Sequence, residues 1–323
     1  MKPYPSFGLS EKTAAVATFV VVLSLPFVLS FNPYYLSIFI SALILGSVSL
    51  AWNLLAGGCG QVSFGHAAFF GIGAYASALL VMKAGWNPFL AMLGAAMIGV
   101  LGALIIGIPA FRLRGPYFAL SILGFAEVMK LLTLNLTNLT EGSKGIFNVP
   151  SLPPIQLGVM TFEFYISRTT NYYLAAALMF AIYLVIYVLR YSNTGLAMSA
   201  VRGDEETAAG IGVPVFRTKV TALTVSAFCT ALTGAFYTHY VHFLNPDSAF
   251  DGYWSVMPIV GSLFGGIGTL IGPSVGALVI TGLDEFIFKR FFETGHKLFF
   301  GLLLAIVIVW APVGLLGKGM KKR

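Results

Sequence analysis

Charge is what this sequence has least of. Of 323 residues, 19 are Lys or Arg and 12 are Asp or Glu, a charged share of 10%, where soluble globular domains carry about 25%. A water-facing surface needs more charge than that, so a soluble enzyme is excluded. Long polar stretches are missing too, which excludes a single-pass anchor bearing a large aqueous domain. Cysteine occurs only as Cys59 and Cys229, with neither a disulfide framework nor metal-ligand spacing. Both lie in apolar sequence and read as small core residues. Other catalytic signatures are missing as well: no H-E-x-x-H or C-x-x-C, and no G-x-x-x-x-G-K-[ST] phosphate loop. The chain therefore has no route to ATP through that loop. What it does have is 58% hydrophobic residues and 28 Phe, the opposite of a disordered composition. The class that remains is an all-α polytopic membrane protein, and the bilayer is its first partner.

The gaps between charges mark the spans. No Asp, Glu, Lys or Arg occurs from Thr13 to Met82, a run of 70 residues. As helix this would be ~105 Å long against a hydrocarbon core of ~30 Å, so it crosses about three times. Breaks at Asn32-Pro33 and Gly57-Gly58-Cys59-Gly60 divide it into spans near 14–31, 34–56 and 61–82. Lys2 and Lys12 before the apolar run from Ala14 mimic a signal peptide, but no small-x-small cleavage site follows, so the run reads as a retained first span. Further uncharged runs cover 84–111, 169–189, 220–246, 252–283 and 298–317. Pro116–Leu136 reads as a span although it contains Glu127 and Lys130.

The signs of the charges set the orientation. Lys2 and Lys12 place the N-terminus in the cytoplasm, and Lys318, Lys321, Lys322 and Arg323 place the C-terminus there. Threading puts Arg112, Arg114 and the 191–218 loop, flanked by Arg190 and Lys219, on the same side. Basic residues spread in this way set topology rather than bind nucleic acid. Two cytoplasmic termini require an even number of crossings. The 252–283 run must then enter and leave on one side, breaking at Phe264-Gly265-Gly266-Ile267-Gly268. At ~48 Å as helix it is too short for two full crossings, so two short helices or a re-entrant hairpin is expected. The total is about ten segments in one transmembrane domain, 1–323. One cost is that Lys289, Arg290 and Lys297 fall on the outer side.

Polar groups inside apolar runs are the candidate functional residues. Gly57–Gly73 sets Gln61, Ser63 and His66 beside flexible backbone. A broken helix with polar groups at membrane depth lines a protein-enclosed pathway. The alternative is a tight turn followed by an ordinary span, with His66 a satisfied packing residue. Gly265 and Gly268 belong to the second break. Glu127 lies eleven residues beyond Pro116, ~16 Å into its helix and near the bilayer midplane. It is expected either to pair with Lys130 one turn on or to face a pathway. His239 and His242 are three apart but have no carboxylate or Cys beside them, so a metal site is weak.

The longest loop on the cytoplasmic side, 191–218, contains Asp204, Glu205 and Glu206, then Ala208 and Ala209, then Gly210, Gly212 and Pro214. Acids in a first turn, alanines within it and Gly then Pro beyond it mark a short helix, suited to docking a soluble partner. In this stretch and others the sequence resembles a known family. WNLLAGGCGQVSFGHAAFFGIGAYASALL (52–80), RLRGPYFALSILGFAEVMKLL (112–132), EGSKGIF (141–147), AVRGDEETAAGIGVPVFRTK (200–219), SAFCTALTGAFYTHYVHFLNPDSAF (226–250) and GGIGTLIGPSVGAL (265–278) are similar, in order, to the M-type (LivM-like) permease subunits of branched-chain amino acid ABC importers.

The resemblance implies a non-catalytic subunit in a bacterial inner membrane. Its implied partners are a homologous H-type permease, two cytoplasmic ATPase subunits that hold ATP and Mg, and a periplasmic substrate-binding protein. It implies that Arg202, Asp204, Glu205, Glu206, Ala208, Ala209, Gly210 and Gly212 form the coupling loop to the ATPase. No cofactor is implied on this chain. Urea, amides and aromatic acids are carried by relatives and stand as alternative substrates; an ion-coupled secondary transporter with Glu127 as proton carrier stands as the alternative class.

Overall fold

The computed structural model describes residues 9–29, 32–113, 115–157, 160–165 and 167–288. Helix dominates, as it must where backbone polar groups have no water to bond. Helix α1 spans Leu9–Leu29 and α2 spans Pro33–Asn53, running on as a wide π-type turn over Leu54–Gly58. Asn32 caps α2 by accepting the Tyr34 N–H at 3.0 Å, and Pro33 takes the first helical position, where no donor is needed. The same Asn-Pro device opens α4 (Pro88–Ala110). Between them α3 covers His66–Met82, and α5 follows at Pro116–Asn135.

A polar segment comes next, holding α6 (Thr137–Thr140) and strands β1 (Ile146–Phe147), β2 (Ile155–Leu157) and β3 (Met160–Phe162). Helices α7 (Arg168–Arg190), α8 (Asn193–Gly203), α9 (Glu205–Gly210) and α10 (Val215–Val241) follow, then β4 (Phe243–Leu244), α11 (Pro246–Ala249), α12 (Tyr253–Gly265) and α13 (Gly272–Leu283). β1 pairs antiparallel with β4, Ile146 opposite Leu244, and β2 pairs with β3. The sequence does not announce these strands, because two or three residues are too few for an alternating pattern.

Five helices among the described residues, α2, α4, α5, α7 and α10, are long and apolar enough to cross a membrane, with shorter apolar helices at Ala15–Phe27 and His66–Met82. Two boundaries differ from the expected spans. The third segment becomes helical only at His66, not at Gln61. The loop at 191–218 holds two helices, α8 and α9, where one was expected. The expected last span, 298–317, lies outside the described residues, as do Lys289, Arg290 and Lys297.

The run at 252–283 forms two short helices of 13 and 12 residues. At ~20 and ~18 Å each is shorter than the hydrocarbon core, although α13 runs on as a π-type turn over Asp284–Phe288. The chain turns between them at Gly266 and Gly268, whose φ of 119° and 79° is open to glycine and few others. Glycine also brings the two helices together: a Cβ on Gly265 would lie 1.7 Å from the Gly272 carbonyl oxygen, and one on Gly276 2.0 Å from that of Gly261. Helix α13 runs back along α2, so that the Tyr34 hydroxyl donates to Glu285 at 2.5 Å at one end while Asn53 holds Thr269 at the other. The pair is a hairpin that returns to the end it came from.

Helix α2 is the axis of the bundle: 89% of its most apolar stretch is buried, against 28% for α5. Helix α3 crosses α10 closely, a Cβ on Gly73 falling 2.0 Å from the Ala231 oxygen and one on Gly234 2.1 Å from that of Phe70. Small residues permit such approach where no hydrophobic force separates protein from lipid. Phe70 also stacks on Trp254 of α12 at 3.9 Å. Cys59 and Cys229 are buried free thiols.

Candidate functional site

Helix α9 is built as its sequence indicates. Asp204 accepts the Thr207 N–H at 2.7 Å as N-cap, and its hydrogen bonds from the Thr207 side chain and backbone hold its carboxyl below the ordinary range. Glu205 and Glu206 occupy the first turn, where the helix dipole favours negative charge. Gly212, at φ 88°, turns the chain out of the helix toward α10. Ala208 packs inward, while Ala209, Gly210 and Ile211 face out. Ile211 is 72% exposed, an apolar tip on a polar loop.

The helix break lies beside this loop. The Arg202 guanidinium donates to the Gly57 carbonyl. Gln61 Nε2 donates to Glu205 Oε1 at 2.9 Å, and the same oxygen takes Lys219 Nζ at 2.5 Å. Lys219 stands in the first turns of α10 with its side chain only 8% exposed, so Glu205 neutralises a buried cation. From the sequence, the acids of the loop and the polar groups of the break were two separate candidates. The fold joins them through one carboxylate. By sequence Lys219 counts only toward topology, because nothing local marks a lysine at a helix start as buried.

From the break the chain continues to the hairpin. Asn53, the last residue of α2, donates to the Thr269 carbonyl at 2.8 Å and accepts the Gly268 N–H at 2.9 Å. A Cβ on Gly57 would sit 2.7 Å from the Gly268 nitrogen, so this contact too needs glycine. Nothing in the sequence marks Asn53: an Asn in an apolar run has no visible partner when that partner lies more than 200 residues away. Gly265 and Gly268 thus serve to close the hairpin and dock its tip.

Residues 60–65 enter the bundle without helical structure. Their backbone is partly satisfied from within: the Trp52 indole donates to the Ser63 carbonyl at 2.7 Å, and the Gln61 N–H bonds to Leu55 O at 3.2 Å. Ser63 and His66 are turned inward and fully buried. His66 Nδ1 lies 3.1 Å from Ser63 Oγ and Nε2 lies 2.8 Å from Ser226 Oγ. Ser226 donates its own proton to Ala51 O at 2.6 Å, so it accepts from Nε2–H, and Nδ1 accepts from Ser63. Both nitrogens of a neutral ring are satisfied, the packing role rather than a cavity-lining one. Since Ser226 lies eleven residues into α10, this contact starts α3 at ~16 Å depth.

The other face of 60–65 is open. Gln61, Val62 and Phe64 line a cavity of about 800 Å³, bounded by Pro116, Phe118, Ala119 and Leu120 of α5, by Asp204, Glu205 and Glu206, and by Lys219. Irregular backbone at depth is tolerated where it borders such a space. Glu127 stands further along α5 and is exposed. The expected Glu127–Lys130 pair does not form: Lys130 Nζ reaches across to Asp247 of α11 at 2.8 Å. Sequence spacing sees only partners on the same helix, and the carboxylate on α11 is the better placed. Among the described residues no three or more His, Cys, Asp or Glu side chains group to hold a metal ion. His239 and His242 bond instead to the Pro150 and Val149 carbonyls.

A family profile described as the permease component of branched-chain amino acid transport systems matches residues 34–308. The chain belongs to that permease family. The high-affinity branched-chain amino acid transport system permease LivM of Escherichia coli K12 is 29% identical over 95% of this chain and 75% of its own length. The LivM of Salmonella typhimurium is 28% identical over the same shares. The autoinducer 2 import system permease LsrC of an Enterobacter species is 27% identical over 84% of this chain and 79% of its own length. No solved structure gives a significant match. The permease match takes in α8 and the hairpin as well as the helix break, α9, α10 and α5, whose residues bound the cavity.

Proposed function

We propose that the chain is a membrane-spanning subunit of an ATP-driven importer, forming with a homologous H-type permease the path for branched-chain amino acids through a bacterial inner membrane. In this reading the α9 end of the bundle and both termini face the cytoplasm, and a substrate-binding protein delivers its cargo at the opposite, periplasmic end. Helix α9 docks to one of two ATPase subunits, which hold ATP and Mg. The observation that carries the reading is the continuous linkage from α9 through Glu205 to Gln61 and Lys219, and through Arg202 and Gly57 to Asn53 and the hairpin tip. A push on α9 cannot move it without moving the helix break, and packed elements shift between discrete arrangements rather than deform. Binding and hydrolysis of ATP on the partner would in this way open and close the cavity beside residues 60–65. The chain itself performs no chemistry.

Co-reconstitution in proteoliposomes with its partner permease, ATPases and binding protein tests this. Leucine uptake is expected only when ATP is present with the ATPases, and to be indifferent to a proton gradient. Uptake by this chain alone on an ion gradient would contradict the reading and favour Glu127 as a proton carrier.

A further inference from the structure

Glu127 lies ~16 Å into α5, mid-bilayer depth in the permease reading, on a helix face that none of the described residues covers. Its nearest candidate partner, Lys130, is held by Asp247, and among the described residues no side chain is hydrogen-bonded to it. Lipid cannot cover it: an acid at the bilayer centre costs about 2.5–3.5 kcal/mol even on the most lenient scales. Its surroundings on α5 indicate what does. Leu120 borders the 800 Å³ cavity at the α9 end, and Leu123, Gly124 and Glu127 follow it at three- and four-residue steps, one stripe rising ~10 Å from the cavity. Leu120 and Leu123 are 59% and 48% exposed, and a Cβ on Gly124 would meet nothing within 4 Å. Between the cavity and the carboxylate, then, the described residues leave a leucine-walled surface of α5 uncovered. An apolar wall headed by an anionic group, with Lys130 one turn beyond it already engaged by Asp247, is the complement of a solute with an aliphatic side chain and an ammonium group.

We propose that this stripe is the wall of the substrate path and that Glu127 binds the ammonium group of the amino acid as it passes. The proposal rests on the permease reading above and adds to it the chemistry of the site. Two measurements on the reconstituted complex test it. In the first, Gly124→Cys is treated with a charged, water-soluble methanethiosulfonate and the intact chain is weighed; Cys59 and Cys229 are buried. A water-filled path predicts modification at 124 that leucine and its binding protein slow. No modification would mean lipid or a tightly packed chain against α5, and would overturn the proposal. In the second, Glu127→Gln is expected to lower the maximal rate of leucine uptake roughly 10- to 100-fold, the worth of a hydrogen bond to a charged group, with the complex intact on size exclusion and Glu127→Asp recovering part of the rate. Wild-type uptake in Glu127→Gln overturns it. So does dissociation of that complex, which would make Glu127 an ion-pair partner of the neighbouring permease. A wild-type complex that ignores ATP would sink the permease reading itself, and the proposal with it.

Discussion

Gly276→Ala should cost the protein its hairpin, whereas Gly282→Ala, in the same helix, should be silent. The new methyl at 276 would lie 2.0 Å from the Gly261 oxygen and 2.6 Å from the Gly265 nitrogen. Both are backbone atoms of α12 and have no rotamer through which to yield. The helices must part, and the tip at 266–269 then leaves Asn53. Overpacking of this kind costs about 3 kcal/mol at the upper end of the usual range. Intrinsic helix propensity would favour Ala over Gly by about 1 kcal/mol, so the sign of the effect separates packing from propensity. At Gly282 no described residue lies within 4 Å of the added atom, and only the propensity gain remains. Thermal unfolding in detergent, followed by size exclusion, should show a large loss at 276 and a small gain or no change at 282. Equal melting temperatures would mean that the glycine contacts do not hold the hairpin.

The second large effect is at Glu205. Replacing it by Gln removes the charge that neutralises Lys219 and weakens the acceptor for Gln61. Loss of one partner of a buried pair costs about 3–5 kcal/mol. Glu205 is 45% exposed, so water shares the charge and about 2 kcal/mol is expected. The functional consequence should exceed the loss of stability: ATP turnover by the assembled complex should continue while leucine uptake falls at least tenfold, a difference of about 1.4 kcal/mol in coupling. The double variant Glu205→Gln with Lys219→Met separates the two effects. It removes the buried cation along with its partner and should restore the melting temperature, yet leave uptake low because the link to Gln61 remains weakened. Uptake recovering in step with stability would show that the cluster only holds the fold.

Much of this fold is legible in the sequence because the bilayer imposes a single rule on every span. The run between Arg168 and Arg190 gives α7 almost to the residue, that between Lys83 and Arg112 contains α4, which starts only at Pro88, and the Gly-rich break in 252–283 marks the turn between two short helices. Asp204, Gly212 and Pro214 bracket α9 by local chemistry alone. Long-range pairings are what the sequence withholds. Lys130 turns to Asp247 rather than Glu127, and Asn53 to a tip more than 200 residues away. The polarity of 61–66 was readable, but not which residues face the cavity: Gln61, Val62 and Phe64 do, while Ser63 and His66 satisfy each other inside. Where a segment is neither helix nor strand, no period exists from which to assign its faces.

The central claim is that α9 receives the ATPase. Ile211 tests it most directly, being 72% exposed at the end of α9 and a member of none of the hydrogen bonds or ion pairs of the linkage described above. A photo-cross-linking residue at 211 should form a covalent adduct with the ATPase subunit in the assembled complex, while the same residue at Leu139, 45% exposed at the opposite end of the bundle, should not. An adduct at 139, or none at 211 in a complex that transports, would contradict the account.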